Sequence, residues 1–184
     1  MGLSYFDNKK WLDISREERL YCAHLYSQIK GKELKFVKWL NENKGMELQT
    51  NCEWEIGYEV CLYREYFHHF REDSIKENKE YPQKRTFDLC IFSENDIVII
   101  EAKVKEHFDQ KQLDETKKDE SLIPRVLGND INVVNVLLAQ SKYVESKNFL
   151  GSKKNREEFP YRISWEEMDE LFPNDVFERA DALR

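Results

Sequence analysis

The stretch from Lys84 to Lys105, KRTFDLCIFSENDIVIIEAKVK, constrains this chain more than any other. Two apolar runs flank the polar break Ser93-Glu94-Asn95-Asp96, the pattern of strand, tight turn and strand. The first run carries Asp88 among Phe87, Leu89 and Ile91. The second carries Glu101 and Lys103 after Ile97-Val98-Ile99-Ile100. Charges inside apolar strands are costly to bury without partners, so these three need a reason. Pairing Phe92 with Ile97 across a four-residue loop, or Ser93 with Asp96 across Glu94-Asn95, gives one and the same register. In it Asp88 stands directly opposite Glu101, with Cβ atoms roughly 4.5–5.5 Å apart. Lys103 shares their face and falls opposite Thr86. A three-residue loop or a bulge would break this parity.

Two like charges held opposite each other repel. A raised pKa on one of them is one remedy. A hard divalent cation is another, because Mg²⁺ takes carboxylate oxygens while keeping several waters. Asp88 and Glu101 are therefore candidate metal ligands for Mg²⁺ or Mn²⁺, with the Ala102 carbonyl as a further oxygen. Such a cation activates water and stabilises charge on a phosphoryl group. Lys103 adds positive charge beside the reacting phosphorus. The competing reading is a buried ion cluster in which Lys103 neutralises the two acids. That device adds little stability, since apolar replacements of buried ion pairs are often neutral or better.

The rest of the chain suggests the supporting elements. Ser15-x-x-Glu18 reads as a capping box for a helix with Leu20, Cys22, Leu25 and Ile29 as apolar positions. Gly31 interrupts it, and a second helical piece through Leu34, Phe36, Val37 and Leu40 ends near Asn43-Lys44-Gly45. Thr50-x-x-Glu53 reads as another box, opening a long helix over 52–71. Ile56, Val60, Tyr63, Phe67 and Phe70 would form its apolar stripe, with Glu59 beside it as a third acid or as the partner of a nearby base. Residues 72–83 are polar, and a short strand there cannot be placed. His107 to Ser121 is helical in composition. Pro124 and Gly128-Asn129-Asp130 mark loops, and Ile131 to Leu138 is a buried strand. A polar, basic loop over 142–156, a short strand at Tyr161-Arg162-Ile163 and a helix capped by Ser164-x-x-Glu167 and stopped by Pro173 complete the chain. The order predicts one α/β domain over 1–184, with a mixed sheet between helices. Residues 1–50 form a helical extension, 51–141 the core and 142–184 an elaboration.

Length and composition allow a folded core: 184 residues, 40% hydrophobic and 13% aromatic. The net charge of -7 argues against an overall basic coat for nucleic acid, but not against a local basic groove. No run reaches the ~20 apolar residues of a membrane span. The start, MGLSYFDNKKWLD, lacks the apolar segment of a signal peptide. Cys22, Cys52, Cys61 and Cys90 have no C-x-x-C spacing, which suits reduced thiols in a cytoplasmic protein.

Asp88, a twelve-residue gap and then Glu101-Ala102-Lys103 after an apolar strand resemble the PD-(D/E)XK superfamily of restriction-endonuclease-like phosphodiesterases. The resemblance covers about Cys52 to Ser141 and implies an αβββαβ core. It implies Mg²⁺-dependent hydrolysis of nucleic-acid phosphodiester bonds, with Asp88 and Glu101 as metal ligands and Lys103 as the catalytic lysine. Glu59 would be the first-helix acid that assists the metal. A glutamine early in the following helix would support the site, with Gln112 the first candidate and Gln110 the second. The chain departs from the pattern in three places. Phe87 replaces the proline, the first of the three core strands is not visible, and Thr116 stands where some branches carry a tyrosine four residues after the glutamine.

The resulting expectation is a metal-dependent nuclease acting on DNA. Lys84, Arg85, Lys105 and Lys111 flank the site, and Lys153, Lys154 and Arg156 offer further phosphate contacts. Because the net charge opposes tight non-specific binding, a homodimer or partner protein would complete the groove. The alternative is a non-catalytic module of the same fold that binds a partner protein or nucleic acid. A zinc site from His24, Cys61, His68 and His69 has no recognised ligand spacing, and adjacent helical histidines point about 100° apart.

Overall fold

The computed structural model describes residues 4–70, 81–105, 110–128 and 130–183. Helices α1 (Trp11–Ile14), α2 (Glu18–Ile29) and α3 (Glu33–Lys44) precede strand β1 (Glu55–Val60) and helix α4 (Leu62–Phe70). Strands β2 (Phe87–Phe92) and β3 (Asp96–Ala102), helix α5 (Gln110–Leu127) and strand β4 (Asn132–Ala139) follow. Short helices α6 (Ser141–Val144), α7 (Lys147–Gly151) and α8 (Lys153–Glu158) lead to strand β5 (Tyr161–Ser164). Helices α9 (Trp165–Leu171) and α10 (Asp175–Ala182) come last.

Among the described residues the strands form one mixed sheet in the order β1-β2-β3-β4-β5. The pairs β1·β2 and β2·β3 are antiparallel, and β3·β4 and β4·β5 are parallel. The hairpin has the anticipated register, with Phe92 opposite Ile97 and Leu89 opposite Ile100. Strand β3 is buried along its whole length, which is why its sequence is a continuous apolar run instead of an alternating one. Val98, Ile100 and Ala102 meet the face covered by α2, α3, α9 and α10. Ile97 and Ile99 meet the face covered by α4 and α5. Each such side chain contributes about 1.5–3 kcal/mol of burial free energy. Together they fix the strand on which Glu101 sits.

The architecture is thus α/β, an open five-stranded sheet between helices. The predicted helix over 52–71 is instead strand β1 followed by α4. The segment admits both patterns: Ile56 and Tyr58 alternate on one face as a strand requires, Val60 packs on the other face beyond the left-handed Glu59, and Tyr63 and Phe67 keep the helical spacing. Pairing with β2 decides in favour of the strand. A Cβ at Gly57 would meet Val60 Cγ2 of the same strand at 2.6 Å and Phe92 Cε2 of β2 at 3.3 Å, so glycine suits this position. Among the described residues strand β1 is one edge of the sheet.

Other expectations change as well. Gly45, at φ 68°, ends α3 as anticipated, and the Ser164/Glu167 capping box on α9 is formed. The Ser15/Glu18 box is not: the N-cap of α2 is Glu17, without a side-chain cap, and Glu18 turns elsewhere. Pro124 lies inside α5, not in a loop. The basic loop over 142–156 is built from α6, α7 and α8. Of residues 72–83, where a short strand was sought, 72–80 lie outside the described residues and 81–83 form no strand. Cys22, Cys52, Cys61 and Cys90 are free thiols. Among the described residues no helix is long and apolar enough to cross a membrane.

Candidate functional site

The polar centre lies where the ends of β2 and β3 meet the start of α2 and the middle of α5. Asp88 is near the start of β2, one position beyond the last recorded pair of the β2·β3 ladder. Its Oδ2 accepts a hydrogen bond from the Ala102 amide at 2.8 Å, which ties it to the neighbouring strand. Glu101, only 6% exposed, accepts from Arg85 Nη2 at 2.6 Å through Oε1. Lys103 follows the last residue of β3. Its amide donates to the Leu138 carbonyl at 2.7 Å, and its carbonyl accepts from the Trp165 indole at 3.0 Å. The chain is therefore fixed on both sides of the side chain. Its ammonium group reaches Glu18 Oε1 at 3.0 Å, while Glu18 Oε2 accepts from the Val104 amide at 3.3 Å.

A second layer supports Glu101. Arg85 Nε donates to Asp119 Oδ2 at 3.0 Å, and the Tyr63 hydroxyl donates to Asp119 Oδ1 at 2.7 Å. Arg85 Nη2 also lies 3.4 Å from the Thr116 hydroxyl. The Arg85 guanidinium sits 5.0 Å from the Phe87 ring centre, where the ring quadrupole favours a cation.

Burial dominates the electrostatics. It pushes the Glu101 carboxyl up from its ordinary 4.5 to about 8, against the opposing pull of Arg85, with Asp88 adding to the rise. Burial likewise raises Asp88, Glu18 and Asp119, with hydrogen bonds and the cations beside them only partly offsetting it. For Lys103 burial acts the other way and is outweighed by Glu18 together with Asp88 and Glu101, so its ammonium form is favoured. The centre thus sets four carboxylates, Glu18, Asp88, Glu101 and Asp119, against two cations, Arg85 and Lys103. With these six groups ionised, two negative charges are unbalanced among the described residues.

Asp88, Glu101 and Lys103 come together as anticipated, but with different partners. Lys103 pairs with Glu18, and Glu101 pairs with Arg85. Glu59 is not on a helix. It sits in β1 with a left-handed φ of 51°, in the gap of the ladder between Tyr58–Leu89 and Val60–Phe87. Its carboxylate contacts Arg19 Nε at 3.3 Å. The acid that the core-facing helix brings to Lys103 is Glu18, from α2. Gln112 is half-buried on α5, one turn before Thr116, whose hydroxyl donates to its carbonyl at 3.0 Å. Gln110 is the first residue of that helix. Arg85, expected at the surface against phosphates, is instead largely buried between Glu101 and Asp119. Lys111, Lys153 and Lys154 pair with Glu115, Glu157 and Asp114.

Glu18 and Asp119 were legible in principle. Glu18, Cys22, Leu25 and Ile29 recur at helical spacing on one face of α2. Asp119 falls between Thr116 and Ile123 on the buried side of α5. A carboxylate on an apolar stripe was the signal at both positions.

Asp88 and Glu101 each have one oxygen held, by the Ala102 amide and by Arg85. Asp88 Oδ1 and Glu101 Oε2 take no hydrogen bond from any described residue. Two hard oxygen donors in a centre with two unbalanced negative charges fit Mg²⁺ or Mn²⁺ in kind. Among the described residues no three His, Cys, Asp or Glu side chains are gathered into a ready cage. No protein-family model matches the chain, and comparison with curated proteins and with solved structures gave no match.

Proposed function

We propose that the chain is a divalent-metal-dependent nuclease that hydrolyses phosphodiester bonds of nucleic acid, with DNA as the substrate. The observation that carries this reading is the charge imbalance of the buried centre. Four carboxylates against two cations leave a deficit that one divalent ion would neutralise, and all four carboxyls hold protons more tightly than usual in its absence. With α3 inserted before β1 and α4 between β1 and β2, the order α2, β1, β2, β3, α5, β4 can be laid against the αβββαβ core that the resemblance implies. On that reading the core begins at Glu18, within the segment first taken as an extension.

Asp88 and Glu101, with the Ala102 carbonyl, would hold Mg²⁺ or Mn²⁺. Bound there, the cation supplies charge neutralisation and a more acidic water. Lys103 holds a positive charge at a fixed place, where it stabilises a phosphoryl oxygen or orients the attacking water. Glu18 sets the direction of that ammonium group and keeps it protonated. Gln112 and Glu59 flank the centre, Glu59 by way of Arg19.

One observation favours a second reading, a non-catalytic module of the same fold. Glu101 is already paired with a buried arginine, and such a cluster can stand without metal. Titration of Mg²⁺ and Mn²⁺ against plasmid and single-stranded DNA separates the two. Cleavage that depends on the metal and is lost in Asp88→Asn supports the nuclease. Absence of cleavage on DNA and RNA with either metal, with unchanged partner binding in Lys103→Ala, supports the module.

A further inference from the structure

We propose that Arg85 is a positioning residue for the metal ligand Glu101, held in place by a relay from Tyr63 through Asp119; this rests on the metal reading of Asp88 and Glu101. The relay is continuous. The Tyr63 hydroxyl donates to Asp119 Oδ1 at 2.7 Å, Arg85 Nε donates to Asp119 Oδ2 at 3.0 Å, and Arg85 Nη2 donates to Glu101 Oε1 at 2.6 Å. Both Asp119 oxygens are used, so its carboxylate cannot turn without breaking a bond. Arg85 is gripped at two nitrogens, and its guanidinium faces the Phe87 ring. Glu101 is consequently held by one oxygen, and its Oε2 takes no hydrogen bond from a described residue. Asp88 is arranged in the same way, with Oδ2 on the Ala102 amide. A carboxylate pinned through one oxygen presents the other in a fixed direction, the usual work of a group behind a metal ligand. The four residues come from α4, α5, the approach to β2, and β3, so the relay joins the far helical layer to the central strand.

The alternative is that Arg85 competes with the cation for Glu101, and the two differ in sign. Removing a competitor tightens metal binding, whereas removing a positioning residue weakens it, typically about 10- to 100-fold. Binding of Mn²⁺ alone, followed by calorimetry and by the paramagnetic resonance of free Mn²⁺, measures this without reference to cleavage. Arg85→Gln should weaken binding about 10- to 100-fold, with Arg85→Lys recovering part of the loss. Tyr63→Phe keeps the ring and removes only the hydroxyl that pins Asp119, and it should weaken binding several-fold with an unchanged circular dichroism spectrum. Unchanged or tighter Mn²⁺ binding in Arg85→Gln overturns the proposal. If that variant does not fold, wild-type affinity in Tyr63→Phe overturns it instead. A wild-type protein that binds no Mn²⁺ overturns the metal reading itself, and the relay's role with it.

Discussion

In the absence of divalent metal the protein should lose stability as the pH rises from 5 to 8. The Glu101 carboxyl ionises near 4.5 in the unfolded chain, but burial holds its proton in the folded state up to about 8. Between those values the folded state binds more protons than the unfolded one, so unfolding free energy falls with pH. The contribution is fully present below 4.5 and is lost as the pH passes through 8. One such group changes stability by at most about 1.4 kcal/mol per pH unit. Over the whole window this gives a ceiling of about 5 kcal/mol, which relaxation and water entry around the carboxylate reduce. Glu18, Asp88 and Asp119 are shifted in the same direction and add to the slope. Urea unfolding followed by far-ultraviolet circular dichroism, in chelator and at each pH unit from 5 to 8, gives the curve directly. Glu101→Gln removes the largest contributor and should flatten it. Saturating Mn²⁺ should flatten it too, because the cation favours the ionised carboxylates. A wild-type curve that is level or rises with pH, or one that Glu101→Gln leaves unchanged, refutes the reasoning.

Three other substitutions probe separate parts of the structure. Lys103→Ala should lower metal-dependent cleavage by about 10²–10³-fold, the usual cost of removing one positioned electrostatic group, while the circular dichroism spectrum is kept. Glu59→Gly should be more stable than Glu59→Ala by about 1 kcal/mol. Both variants lose the Arg19 contact and only glycine relieves the left-handed backbone, so the difference in urea midpoints isolates the strain. Gly57→Ala should cost about 1–3 kcal/mol, since its methyl group would stand 2.6 Å from Val60 Cγ2. A neutral result there would mean that the β1 edge shifts freely.

The hairpin could be read from the sequence because several local signals agree there. The two apolar runs and the polar turn between them, read as a two- or four-residue loop, give one register, and the structure has it. Strands β4 and β5 and helices α3 and α9 were legible for the same reason: each has its own start or stop residue, such as Gly45 or the Ser164/Glu167 box. The segment over 52–71 was not, because Ile56, Val60, Tyr63, Phe67 and Phe70 fit helical spacing even though the first two belong to a strand. What separates the two states is the pairing of β1 with β2, Ile56 opposite Ile91 and Tyr58 opposite Leu89. No window of local sequence contains those pairs.

The site divides along the same line. Asp88, Glu101 and Lys103 lie on one hairpin, so strand register was enough to bring them together. Glu18 and Asp119 arrive from helices, and their arrival depends on how those helices pack on the sheet. Glu18 carried a competing local meaning, the third position of a capping box after Ser15. A capping carboxylate must fold back on its own helix, and one that serves a lysine on a neighbouring strand must point away from it. Glu18 cannot do both, and the uncapped start of α2 records the outcome. An isolated cap is worth about 0.5–2 kcal/mol, whereas taking a charged partner away from a buried ammonium group costs more. Pairing the lysine therefore prevails over capping the helix, and this is why Glu18 is the acid that stands beside it.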